Sequence, residues 1–339
     1  MRAEGARLAF FESTTLLAKE IRALLEARGF PAVGVKMFDT REEGAVTEFG
    51  GEAMVVVKPD VDTLVDLDVA FLCGSAAQSA PFLEWSRQKG YVAIDLSGAS
   101  RGVPGVPLIH CDLNLDELSP GGNTPPLVGA PHPVSHNLAT VASAAHAASP
   151  IASMEAVALR PASELGEPGV DELYQQTLGL LNFGAVPQET FGRQLAFNLL
   201  PSAGLVQSRA EAFDQRAQAE TTRMLGFQPA QVSVTSAFIP LFHGHAISVA
   251  LNFERPPEIG GLIEALTSTR GLNVIDDPSA ASPVELAGED SLAIVDLRPD
   301  PQRPGRVSFW TFCDNLKSGS ALNAVRIAER VVELRLERA

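Results

Sequence analysis

Cysteine is scarce in this chain: three residues, Cys73, Cys111 and Cys313, widely spaced and odd in number. That excludes a disulfide framework, and the absence of any CxxC pair excludes a zinc knuckle, so buried, reduced thiols are expected. Long hydrophobic runs are missing as well. Stretches such as Val69-Ala-Phe-Leu-Cys73 fall far short of the ~20 apolar residues of a membrane helix. The N-terminus MRAEGARLAFF has no signal-peptide layout, so no membrane association is expected and the cytoplasm is the expected compartment. Lys/Arg-rich runs are absent too. With 26 basic against 41 acidic residues and a formal net charge of −15, the surface lacks the positive field that phosphate backbones require, which excludes nucleic acid as the main partner.

What is present points to an ordered globular protein. Hydrophobic residues make up 45% of the chain and charged residues 20%, a balance that excludes disorder. A length of 339 residues exceeds the roughly 250–300 at which one core stops growing, so two domains are expected. The first third alternates short apolar runs with helical patterns, as a parallel sheet with crossover helices does. Strands are predicted at residues 8–11, 32–37, 53–57, 69–73 and 91–95, and helices at 16–28 and 81–89. Leu16, Leu17, Ile21, Leu24 and Leu25 follow helical spacing, and Gly29 closes that helix. The Pro/Gly-rich stretch Ser119-Pro-Gly-Gly-Asn-Thr-Pro-Pro126 reads as a boundary loop.

Beyond the boundary, helices are predicted at 134–148, 170–181, 209–225 and 259–267, with strands at 151–159, 231–240, 246–253, 292–296 and 307–311. Strands and helices in larger blocks indicate an α+β domain with a mixed or antiparallel sheet. An amphipathic helix at 321–336 ends the chain. The expected division is therefore 1–127, 128–318 and a returning helix at 319–339.

Several motifs together resemble the aspartate-β-semialdehyde dehydrogenase family, in its diverged members. They are Phe191-Gly-Arg-Gln-Leu-Ala-Phe-Asn-Leu-Leu-Pro201, Phe242-His-Gly-His245 followed by Asn252-Phe-Glu254, and Asp314-Asn-Leu-Lys-Ser-Gly-Ser-Ala-Leu-Asn-Ala-Val-Arg-Ile-Ala-Glu329. The resemblance implies a Rossmann-like NAD(P)-binding-type domain, a second domain whose sheet builds a homodimer interface, and a C-terminal helix that packs back on the first domain. It also implies NADP as cofactor for an active member.

Matched position by position, much of the family's chemistry is replaced. Its three cofactor-loop glycines fall on Glu12, Thr15 and Ala18, and its nucleophilic cysteine falls on Pro133. Glycines let backbone N–H groups approach a pyrophosphate at a helix N-terminus, and a proline offers no nucleophile. The substrate-gripping arginine falls on Phe238 and the substrate-gripping glutamate on Phe213, with Asp214 beside it. The acid/base histidine is retained as His245, and a basic residue, Arg216, stands at the phosphate position. The family's glutamine falls near Arg160.

The reading that follows is a non-catalytic or functionally altered homologue, a homodimer binding another protein or a small metabolite, with no cofactor expected. Two alternatives stand beside it. One is an active NADP-dependent semialdehyde dehydrogenase of the aspartate amino-acid biosynthesis pathway, taking its thiol from Cys111 or Cys313. The other is a changed chemistry based on His245, with Ser135 as nucleophile or with a metal held by His132, His136 and His245, three imidazoles being enough for a divalent ion.

Overall fold

The computed structural model describes residues 5–119, 124–202 and 211–337. Part of the loop at 119–126 and the expected helix start at 209 and 210 lie outside them. The chain divides into two units, residues 1–132 with 319–339, and residues 133–318. The division falls at 132/133, beyond the 127/128 read from composition, because β7 (Leu127–Gly129) pairs with the sheet of the first unit.

That sheet is wholly parallel, in the order β2-β1-β5-β6-β7, formed by β1 (Ala6–Phe11), β2 (Ala32–Phe38), β5 (Val69–Leu72), β6 (Val92–Asp95) and β7. Strands β5 and β6 are buried throughout, which is why they read as unbroken apolar runs rather than alternating ones. Residues 53–57, expected in this sheet, mostly form instead a separate hairpin of β3 (Val46–Phe49) and β4 (Glu52–Val55). Gly50 and Gly51 both take positive φ, 63° and 77°, as the mirror-image turn of a two-residue hairpin requires.

Helix α1 (Leu16–Ala27) starts on an N-cap, Thr15, whose hydroxyl accepts from the Ala18 N–H, and it buries Ala18, Ile21, Leu24 and Leu25. Helix α2 (Ala76–Lys89) begins five residues before Pro81, because Ser75 and Gln78 close a capping box there, and it carries the proline inside. The last helix, α7 (Leu322–Leu336), belongs to this first unit. Its Val325, Ile327, Ala328 and Val331 are fully buried in the same core as β1 and β5. Glu329 receives both a 2.7 Å and a 2.8 Å bond from the Arg28 guanidinium. Asn323 accepts from the Cys111 N–H at 2.8 Å and donates to the Ile109 carbonyl at 3.0 Å.

The second unit is built on a seven-stranded mixed sheet, ordered β12-β13-β14-β11-β8-β10-β9. Its strands are β8 (Ile151–Arg160), β9 (Leu200–Pro201), β10 (Val232–Phe238), β11 (His245–Phe253), β12 (Leu272–Ile275), β13 (Leu292–Asp300) and β14 (Arg303–Cys313). Strand β8 runs parallel to β10 and antiparallel to β11. Helices α3 (Pro133–Ala148), α5 (Glu211–Leu225) and α6 (Ile259–Ser268) share a core with one face of the sheet, where Leu138 and Val141 meet Ile247, Val249 and Leu251. Helix α4 (Gly166–Leu181) organises the Phe191–Pro201 motif. The buried Glu172 carboxylate accepts from the N–H groups of Thr190 and Phe191, and the Gln176 carbonyl accepts from those of Leu195 and Ala196. Polar side chains buried on a helix are thereby satisfied by ordering a loop. Among the described residues, no helix is long and apolar enough to cross a membrane.

Candidate functional site

Each unit carries a cluster of buried polar groups at the positions singled out in the sequence. In the first unit it lies at the carboxyl ends of β1, β2 and β5. Helices leave the sheet in opposite senses from neighbouring strands β1 and β5, and such a crevice is where open α/β sheets take ligands. Of the three expected glycine positions, Ala18 faces the core and Thr15 caps α1. Glu12 stands in the turn itself, 3% exposed and with φ of 56°, a conformation uncommon outside glycine. Its Cγ lies where a Cβ on Gly74 would come within 2.5 Å. One carboxylate oxygen accepts from the Gln78 amide at 2.8 Å and the other from the Thr40 N–H at 3.3 Å. Burial, and then neighbouring Asp39, push the Glu12 carboxyl above its ordinary value.

Asp39, at the end of β2, opposes this trend. Burial alone would raise it, but the Thr14 hydroxyl at 2.7 Å and the N–H groups of Arg41 at 3.0 Å and Glu42 at 3.2 Å hold it below the usual carboxylate range. A pyrophosphate at this turn would meet a filled crevice and two carboxyl groups. The residues present do not fit a dinucleotide there.

In the second unit, Gly244 and Asn315 place His245. Gly244 has φ of +91°, and a Cβ on it would lie 3.0 Å from Pro283, so only glycine enters β11 this way. Its N–H donates to Asn315 Oδ1 at 2.8 Å, and the Asn315 amide donates to Ser163 Oγ at 3.0 Å. His245 follows as the first residue of β11, fully buried, with Nε2 on the Glu164 carboxylate. The same carboxylate takes the Arg160 guanidinium. Arg160 ends β8, and Glu164 sits four residues on in the single 3-10 turn Ala162–Leu165.

The Arg160 guanidinium lies between two aromatic faces, 3.6 Å from the centroid of Phe213 and 4.3 Å from that of Phe238. The network continues from Arg160 to Ser202 at 3.2 Å, from Ser202 to Ser236 at 2.6 Å, and from Ser236, which donates to Asp214 at 2.5 Å. Arg216 is likewise paired four residues on, its Nε 2.6 Å from Glu220. Both arginines of this cluster therefore hold carboxylates of their own chain.

Pro133 is the first residue of α3, a favoured place for proline. Ser135 is buried, and its hydroxyl donates to Glu220 at 2.7 Å. Cys313 is fully buried against the Asn137 amide at 2.7 Å, and burial pushes its thiol up to about 12. Cys73 in the first unit is also raised, first by burial. His136 is buried in α3, His132 belongs to the first unit, and among the described residues no cluster of three ligating side chains contains His132 or His245. Glu164, Ser202, Ser236 and Asn315 were missed as site residues. For Glu164 the signal was available: an acid four residues after a base at the end of a strand.

A parallel-sheet nucleotide-type unit joined to a mixed-sheet unit with a Gly-His pair at the head of a strand defines the architecture of semialdehyde dehydrogenases. Residues 13–120 match the model of the semialdehyde dehydrogenase NAD binding domain, and residues 143–317 match that of the dimerisation domain. The chain belongs to the aspartate-semialdehyde dehydrogenase family. It is 29% identical to an aspartate-semialdehyde dehydrogenase of Rickettsia conorii over 96% of this chain and 97% of that one. It is also 29% identical to the USG-1 protein homolog of Pseudomonas aeruginosa, over 95% and 96%. The solved structure of a probable aspartate-semialdehyde dehydrogenase from Pseudomonas aeruginosa superposes with a TM-score of 0.88 at 27% identity, covering 97% of this chain and 99% of that one.

Proposed function

We propose that this chain is a homodimeric family member that has given up the family's thiol-based, dinucleotide-dependent dehydrogenation and serves as a binding protein for another protein or a small metabolite. The observation that carries this reading is Pro133 at the head of α3, where the nucleophilic thiol is expected. A covalent route through sulfur needs a thiolate, and burial raises the Cys313 and Cys73 thiols away from that form. Ser135 does not substitute, because its partner Glu220 is already paired with Arg216. Among the described residues, the cations at the former substrate positions, Arg160 and Arg216, are paired with Glu164 and Glu220 of the same chain.

Dimerisation is supported by the match to the dimerisation domain and by exposed apolar side chains of the second unit. These include Tyr174, Leu181, Phe183, Phe197 and Leu199.

The purified chain should show no oxidation of aspartate semialdehyde with NADP and phosphate, and no heat of NADPH binding at about millimolar cofactor. Turnover that survives removal of contaminating dehydrogenase overturns the reading. A second reading, chemistry based on His245, is favoured by its buried bond to Glu164, since a carboxylate partner fixes the orientation of an imidazole. It requires an activity that is independent of NADP and lost in His245→Asn.

A further inference from the structure

We propose that Glu12 is the built-in occupant of the anion position in the first unit's crevice: its side chain stands where a ligand's diphosphate would enter between the β1 and β5 ends. The inference deepens the reading above, on whose cofactor part it rests. It is carried by placement rather than by loss of glycine alone.

The Glu12 side chain crosses from the β1 turn over Gly74, at the end of β5. Its two oxygens reach two further elements, Gln78 in the first turn of α2 and Thr40 after β2. Three segments that would open around a ligand are thus tied by one carboxylate. The turn is also held from α1: the Arg22 guanidinium donates to the Ser13 carbonyl at 2.6 Å and to Thr47 at 2.7 Å. The Ser13 hydroxyl beside it is fully buried and has no hydrogen-bond partner among the described residues, as a group left over at a polar site would be. A glutamate held at positive φ costs backbone energy that glycine would not.

Inorganic pyrophosphate and NADPH, each titrated into the unaltered chain and into Glu12→Gly and Glu12→Gln, test the assignment by calorimetry and thermal shift. Glycine accepts the φ of this turn without strain, and glutamine keeps the length and the acceptor while losing the charge, so at least one variant folds. A carboxylate a few Å from a bound anion costs about 1 kcal/mol even at water's dielectric. Both variants should therefore bind pyrophosphate at least about five-fold more tightly than the unaltered chain, Glu12→Gly the more strongly. Equal, absent responses in all three proteins overturn the assignment of Glu12 and leave the proposed function standing. NADPH binding by the unaltered chain overturns both.

Discussion

The Arg160–Glu164 pair is buried on both sides, with side-chain exposures of 8% and 5%, and that sets the scale of a sharp test. In Glu164→Ala the guanidinium stays between Phe213 and Phe238, and His245 stays buried, both without the carboxylate that joins them. Stacking on the two rings survives, at roughly 0.5–2 kcal/mol, but an uncompensated buried charge costs about 3–5 kcal/mol. Replacing both partners, Arg160→Met with Glu164→Met, removes the charge along with its counter-charge and is expected to cost less than the single change.

The two tryptophans separate the units, since Trp85 lies in α2 and Trp310 in β14. Urea unfolding followed by fluorescence, with Trp85→Phe as background, therefore reads the second unit. The expected outcome is a midpoint shift in the Trp310 transition at unchanged m, large in the single variant and partly restored in the double. A single-variant cost below about 1 kcal/mol, the value of a solvated pair, refutes the argument. So does a double variant whose cost is the sum of the two singles.

Two further outcomes follow from the titrating groups. Because the folded chain holds the Glu12 proton more tightly than the unfolded chain, the stability that Glu12 contributes is full below its ordinary value of 4.5 and is lost as pH rises through the folded value. The melting temperature of Glu12→Gln should accordingly gain on that of the unaltered chain between acid and neutral pH, and a pH-independent difference contradicts the placement. Cys313, fully buried and pushed up to about 12, should resist maleimide in the native protein at neutral pH and react on unfolding, as peptide mass mapping would show; fast native labelling contradicts it.

Much of the architecture was legible because it rests on local periodicity. The apolar runs at β5 and β6, the spacing of Leu16 to Leu25, and the Gly-rich punctuation report elements whose neighbours in sequence decide them. The hairpin at Val46–Val55 escaped because a run such as Ala-Met-Val-Val-Val looks the same in a two-stranded ribbon as in a central strand. Helix α2 starts five residues before Pro81, ahead of the expected start, because Ser75 and Gln78 form a capping box that fixes it there. At the candidate sites, Glu12, Pro133, Phe213, Phe238 and His245 were singled out from motifs, whereas their partners were not.

What the amino-acid order determined by itself was the class of fold and the identity of the side chains at the positions where this family's chemistry is expected. Only the tertiary structure decided what those side chains touch. Glu12 meets Gln78 across 66 positions, and His245 meets Glu164 across 81. Such pairings are set by strand order and register, β1 beside β5 and β11 beside β8, which bring strand ends together regardless of chain distance. A carboxylate's effect depends on that company: the same residue type solvates a surface loop, neutralises a buried arginine or fills a ligand's place, according to which groups the sheet sets within 3 Å of it.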